Sequence, residues 1–214
     1  MLTLGVETAE PIGGVALFED GILAEERLLD APLKHAECLI PSIDRLLGDT
    51  SRSRAEVDRI SVNRGPGSFT GLRIGLATAN GLCQAIGCGL VGVDGAHAYR
   101  WRVPDARRVC VVLRSRRDLF YATWFVGEKP KGPTELLREE GLVARLGEEE
   151  RELTLAGSGA ERIFGRISDH PTILLAGESA LGPSPLAIAR IGASEESADR
   201  LYRLEPLYVE PVLA

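Results

Sequence analysis

The residues with the most chemistry in this chain gather around one glycine-rich run, Arg64-Gly65-Pro66-Gly67-Ser68-Phe69-Thr70-Gly71. Glycines ahead of a helix N-terminus present backbone amides to an anion, and the helix dipole adds to the attraction. Arg64 and Arg73 would supply positive charge. The run lacks the Gly-Lys-Ser/Thr ending of a P-loop, so no lysine reaches a phosphate and no adjoining hydroxyl awaits magnesium. Pro66 also removes one amide donor. A tight turn that sets the angle of the following helix explains the run better than a phosphate cradle.

Hydrolytic chemistry fares no better. Ser68 is not in a nucleophile elbow, because Phe69-Thr70 follows it and Pro66 lies two before. His35, His97 and His170 are the candidate bases, and His170 precedes Pro171 in a polar turn with no nucleophile assigned to it. Of four cysteines, Cys83 and Cys88 are five positions apart, which is not a metal-ligand spacing. Cys38, Cys83 and Cys110 sit among apolar neighbours, as buried thiols of a reducing compartment do. No metal site and no cofactor are expected.

These residues are positioned by a mixed set of elements. Leu2, Leu4 and Val6 alternate as a strand, Val15 to Phe18 form a second, and Ile22 to Leu28 a third. Asp20-Gly21 marks a hairpin between the last two. From Lys34 to Leu47 the period becomes helical. Ile60 to Asn63 is a strand, Gly71 to Ile86 a helix capped by Ser68 or Thr70, Leu90 to Val93 a strand, and 95–101 a short helix. The order βββαβαβα is complete by about residue 103 and predicts a mixed sheet covered by helices. After Pro104 the pattern partly restarts, with strands at Val109–Leu113 and Phe120–Val126. A charged, helix-biased stretch follows from Lys129 to Glu152. Next come a strand at Leu153–Leu155, a helix at Ala160–Gly165, a strand at Thr172–Leu175, a helix at Pro185–Ile191 and an extended tail at Leu204–Val209. The expected domains are 1–103 and 104–214.

The 214 residues carry a net charge of -6 with 44% hydrophobic and 26% charged residues. That balance disfavours attraction of the whole molecule to an RNA backbone. No apolar run approaches the roughly 18 to 20 residues of a membrane span, and the N-terminus does not read as a signal peptide. The expectation is a cytoplasmic protein with no membrane partner.

The segment Asn63 to Gly75 resembles the signature of the TsaB (YeaZ) family. Gly5-Val6-Glu7-Thr8, His35 with Leu39-Ile40-Pro41, Val91-Gly92-Val93, Phe120-Tyr121-Ala122 and Glu205 to Val209 resemble other pieces of it in the same order. The resemblance implies two actin-like (ASKHA, ribonuclease H-like) α/β lobes, the second smaller and degenerate. It implies a non-catalytic scaffold that activates TsaD, the catalytic homologue, together with the ATPase TsaE. That complex transfers threonylcarbamoyl to adenosine 37 of tRNAs reading ANN codons. The alternative is a peptidase or ATPase of the glycoprotease or actin-like type. Kinase-type relatives need an acid after the first strand and glycine-hydroxyl pairs beyond it. Here Glu7-Thr8 is followed by Ala9-Glu10-Pro11, and a second carboxylate there repels a nucleotide. TsaD carries two histidines four apart on the helix after the fifth strand. Gly95 and Tyr99 stand at those positions, and His97 is alone.

With no chemistry assigned, binding becomes the expected work. Gly71, Gly75, Thr78, Ala79 and Leu82 form a stripe of mostly small residues on one helix, and His35, Leu39, Ser42 and Leu46 a stripe on the other. In the family these two helices join TsaB to TsaD or to a second copy of itself, so both stripes are expected to face a partner, with homodimer and complex competing for one patch. Arg100, Arg102, Arg107, Arg108, Arg114, Arg116 and Arg117 make a basic stretch, read either as a tRNA phosphate contact made within the complex or as a solvated turn and linker.

Overall fold

The computed structural model describes residues 1–29, 34–182, 184–195 and 204–209. Two compact units arise. One comprises the described residues of Met1–Ala98 and Pro183–Leu207, the other those of Tyr99–Gly182 and Tyr208–Ala214.

In the first unit, β1 (Leu2–Glu7), β2 (Gly14–Glu19) and β3 (Ile22–Leu28) form an antiparallel meander. The β2–β3 turn places Asp20 and Gly21 at positive φ, as a tight hairpin requires. α1 (His35–Asp49), β4 (Arg59–Gly65), α2 (Phe69–Ile86), β5 (Gly89–Asp94) and α3 (Gly95–Trp101) follow. β4 and β5 add in parallel, giving the sheet order β3-β2-β1-β4-β5.

The alternation along each strand decides what packs on it. Leu2, Leu4, Val6, Val15, Leu17, Ile60 and Val62 join Leu39, Ile43, Leu46 and Leu76 of α1 and α2 in one core. The opposite face carries Gly5, Ala16 and Ser61, and a helix lies close against it: α6 (Pro185–Ser194). A Cβ on Gly5 would sit 2.3 Å from the Pro185 carbonyl oxygen, and one on Gly192 1.9 Å from Ser61 Oγ. Close approach of helix backbone to strand backbone needs a bare Cα at both points. With helices on both faces, every residue of β1 is buried.

The second unit repeats the order. β6 (Arg108–Arg114) pairs antiparallel with β7 (Leu119–Val126), which also pairs with β8 (Lys129–Pro130) and β9 (Glu135–Arg138). α4 (Glu139–Gly147) leads to β10 (Leu153–Ala156), and α5 (Ala160–Ile167) to β11 (Ile173–Leu175), both parallel to β6 and its neighbour. Cys110, Val112, Phe120, Leu142, Leu155 and Ile163 lie in its core.

Two differences from the sequence expectation have plain causes. The charged stretch from Lys129 to Glu152 contains two short strands before its helix, because β7 exposes a free edge that 129–130 and 135–138 pair with. The helix at 185–194 groups with the first unit although its sequence position falls within 104–214, since its Ala187, Ala189 and Gly192 fit the small-residue face of the first sheet. The tail at 204–209 is extended without strand pairing, and Leu207 N–H donates to the Arg64 carbonyl at 2.6 Å. Among the described residues no helix is long and apolar enough to cross a membrane.

Candidate functional site

The glycine-rich run closes over the end of β1. Asn63, buried at the end of β4, donates from Nδ2 to Glu7 Oε2 at 2.5 Å, and its Oδ1 accepts the Gly65 N–H at 2.8 Å. Gly65 stands at φ +121, and the bond to Pro66 is cis. Ser68 N–H donates to the Ala9 carbonyl at 2.7 Å, and a Cβ on Gly67 would lie 2.6 Å from that same oxygen. Ser68 Oγ then accepts the Gly71 N–H at 3.1 Å, the N-cap bond that opens α2. Thr8 Oγ1 donates to the Gly71 carbonyl at 2.9 Å. The amides of Ser68 and Gly71 are therefore consumed inside the chain. Arg64 Nε pairs with Asp94 at 2.6 Å, and the Arg73 guanidinium lies 3.7 Å over the Phe69 ring. Together these contacts staple the turn after β1 to the start of α2.

Inside the staple sits Glu7, a buried carboxyl. Loss of solvation raises its pKa to about 7, although hydrogen bonds from Asn63 and from the Ala9 and Glu10 amides pull it down. The Ala9 N–H lies 2.6 Å from Oε1. His35 caps the next turn, its Nε2–H donating to the Glu10 carbonyl at 2.9 Å.

The two expected stripes are largely covered by the chain itself. His35, Leu39, Ser42, Leu46, Gly71, Gly75 and Ala79 are buried in their own unit, and Thr78 and Leu82 are half-buried. A Cβ on Gly71 would meet the Thr8 carbonyl oxygen at 2.0 Å, and one on Gly75 would meet Thr8 Oγ1 at 2.3 Å. The notch in α2 is filled by the chain's own first strand and turn. Small residues at helical spacing indicate a close approach without saying which element approaches. The outward stripe of α2 runs through Phe69, Arg73, Ala77 and Gln84, and that of α1 through Pro41 and Arg45. The polar side chains of Arg45, Arg73 and Gln84 were the available signal that these stripes face outward.

At the start of α3, a Cβ on Gly95 would stand 2.9 Å from Asn63 Nδ2, and Tyr99 is buried. His97 Nδ1 is 4.0 Å from Asp94. His170 contacts the Gly147 carbonyl at 3.1 Å and Thr172 Oγ1 at 3.2 Å. In the basic stretch, buried Arg100 donates to the carbonyls of Val103, Ala106 and Gly127, and Arg108 pairs with Glu149 at 2.9 Å. Arg107, Arg114, Arg116 and Arg117 are exposed, and Arg102 is half-buried.

The family model described as "TsaD: tRNA N6-adenosine threonylcarbamoyltransferase" matches residues 29–128. A tRNA N6-adenosine threonylcarbamoyltransferase of Solidesulfovibrio magneticus is 40% identical over 114 residues, covering 46% of this chain and 31% of that protein. The tRNA threonylcarbamoyladenosine biosynthesis protein TsaB of Escherichia coli is 31% identical over 124 residues, covering 56% of this chain and 53% of that protein. Matches thus span about a third and about half of these relatives' lengths. YeaZ from Pseudomonas aeruginosa shares the fold at a TM-score of 0.79 and 24% identity, covering 97% of this chain and 99% of that one. The chain is thus similar in sequence to TsaD and to the TsaB (YeaZ) proteins over about half of its length, and it shares the two-sheet fold of YeaZ.

Proposed function

We propose that this chain takes part in tRNA threonylcarbamoyladenosine biosynthesis as a non-catalytic scaffold that binds and activates a TsaD-type subunit, with a TsaE-type ATPase. The transfer to adenosine 37 of tRNAs reading ANN codons belongs to the partner. The supporting observation is the start of α3. There Gly95 leaves no room for a side chain beside Asn63, and Tyr99 is buried, where TsaD carries two metal-binding histidines. Without an imidazole pair this helix offers no such ligand set. The internally used amides of the glycine-rich run point the same way, since a phosphate would have to displace the Ala9 and Ser68 contacts.

The partner surface is the outward side of α1 and α2, centred on Phe69, Arg73 and Ala77. Phe69 is 54% exposed, and such an aromatic beside a small residue suits a helix laid across the stripe. The same face can serve a homodimer, which would then compete with the complex. Reconstituted tRNA modification by TsaD and TsaE, with and without this chain, tests the reading. Product that requires this chain supports it. Full activity in its absence, or turnover of ATP or a peptide by this chain alone, would overturn it.

A further inference from the structure

Cys83 lies near the end of α2 and Cys88 just before β5, and both are free thiols. Their sulfurs are 3.0 Å apart in hydrogen-bond contact, and Cys83 Sγ lies 3.3 Å from the Gly89 carbonyl oxygen. Gly87, at φ +77, turns the chain out of the helix so that Cys88 comes back onto Cys83. A Cβ on Gly87 would meet nothing within 4 Å, so no wall opposes a small movement of this corner. Closing to a disulfide asks the sulfurs to approach by about 1 Å.

Exposure divides the pair. Cys83 is fully buried, and Cys88 is partly buried at the edge of the same core. The contact with Cys88, and then burial, raises the pKa of Cys83, whereas the contact with Cys83 lowers that of Cys88. Cys88 therefore ionises first and is the more accessible of the two, while Cys83 waits behind it with its proton. Cys38 on α1 and Cys110 in the other core have no such sulfur contact among those described, and they act as internal controls.

We propose that Cys83 and Cys88 are a modification site that closes into a reversible disulfide on exposure to a peroxide. The Cys88 thiolate attacks one peroxide oxygen, the O–O bond breaks, and hydroxide leaves a sulfenic acid on Cys88. The Cys83 sulfur then attacks the Cys88 sulfur, and the displaced oxygen departs as water with the Cys83 proton. Two thiols lose two electrons, and the peroxide is reduced to water. The bond ties the C-terminal end of α2 to β5, and a dithiol reductant opens it. This site stands independently of the scaffold reading.

The test uses the full chain, reduced, treated with hydrogen peroxide while folded, cleared of peroxide, then unfolded in guanidinium and alkylated, so that buried thiols are also read. Trypsin releases 74–100, which carries both cysteines and no internal Lys or Arg. The expected mass spectrum shows this peptide lighter by two hydrogens and unalkylated, with alkylation restored by prior dithiothreitol. Peptides carrying Cys38 and Cys110 remain alkylated. In Cys88→Ser, checked for folding by circular dichroism, Cys83 remains alkylated under the same treatment. The proposal fails if wild type keeps both cysteines alkylated, if Cys88 proceeds to sulfinic acid while Cys83 stays a thiol, or if the disulfides join separate chains. Should Cys88→Ser not fold, the wild-type spectrum alone decides.

Discussion

Replacing Glu7 with Gln should change how stability depends on pH, not merely its level. The folded carboxyl has its pKa raised from 4.5 to about 7 by burial. Folded chains therefore hold a proton that unfolded chains release over that window, and stability falls as pH rises through it. It is fully present below about 4.5 and lost once pH has passed about 7. Between pH 5.5 and 8 the loss amounts to about 2 kcal/mol, from about 1.4 kcal/mol per pH unit over the part of the window crossed. Glu7→Gln keeps a carbonyl oxygen for the Ala9 N–H. Its amide nitrogen then faces Asn63 Nδ2, and Asn63 cannot turn over without leaving the Gly65 N–H unpaired. One buried bond is lost, at about 1–2 kcal/mol, independent of pH. The variant should be the less stable form at pH 5.5 and match or exceed wild type at pH 8. Urea unfolding followed by tryptophan fluorescence and circular dichroism at both pH values measures this. Titrations elsewhere cancel in the difference between the two proteins. A difference that does not change with pH would show that Glu7 is ionised throughout and refute the reasoning.

Other substitutions separate the close contacts from the free faces. Gly71→Ala drives a methyl toward the Thr8 carbonyl 2.0 Å away and should cost about 1–3 kcal/mol or more, whereas Gly81→Ala on the same helix meets nothing and should stabilise by about 0.4–1 kcal/mol. Thermal melts of the two should shift in opposite directions. Gly192→Ala places its methyl 1.9 Å from Ser61 Oγ and should lower the melting temperature by several degrees, with faster amide exchange in α6. Ala77→Glu, on the outward stripe of α2, should leave the melt unchanged and abolish co-elution with a TsaD-type subunit on size exclusion. Retained binding would move the partner surface elsewhere.

The element order was legible because strand and helix periods differ, and because Asp20-Gly21 and the capped run at Ser68 punctuate the chain where they should. Strands at 108–114, 119–126 and 153–156 were legible for the same reason. The short strands at 129–130 and 135–138 were not, since three charged residues and a proline among six give no period of two, and only the free edge of β7 makes them strands. Burial of Glu7 was equally hidden, because a carboxylate at the end of a strand reads as solvated until Asn63, distant in sequence, is brought against it.

By itself the sequence determined that Gly71 and Gly75 lie in a stripe of mostly small residues at helical spacing, and that no histidine pair opens the helix after β5. Only the tertiary structure decided which neighbour fills each gap: Thr8 for the glycines of α2, Ser61 for that of α6. A small side chain records that something approaches closely, but the approaching atom comes from a distant part of the chain, and nothing local encodes its direction.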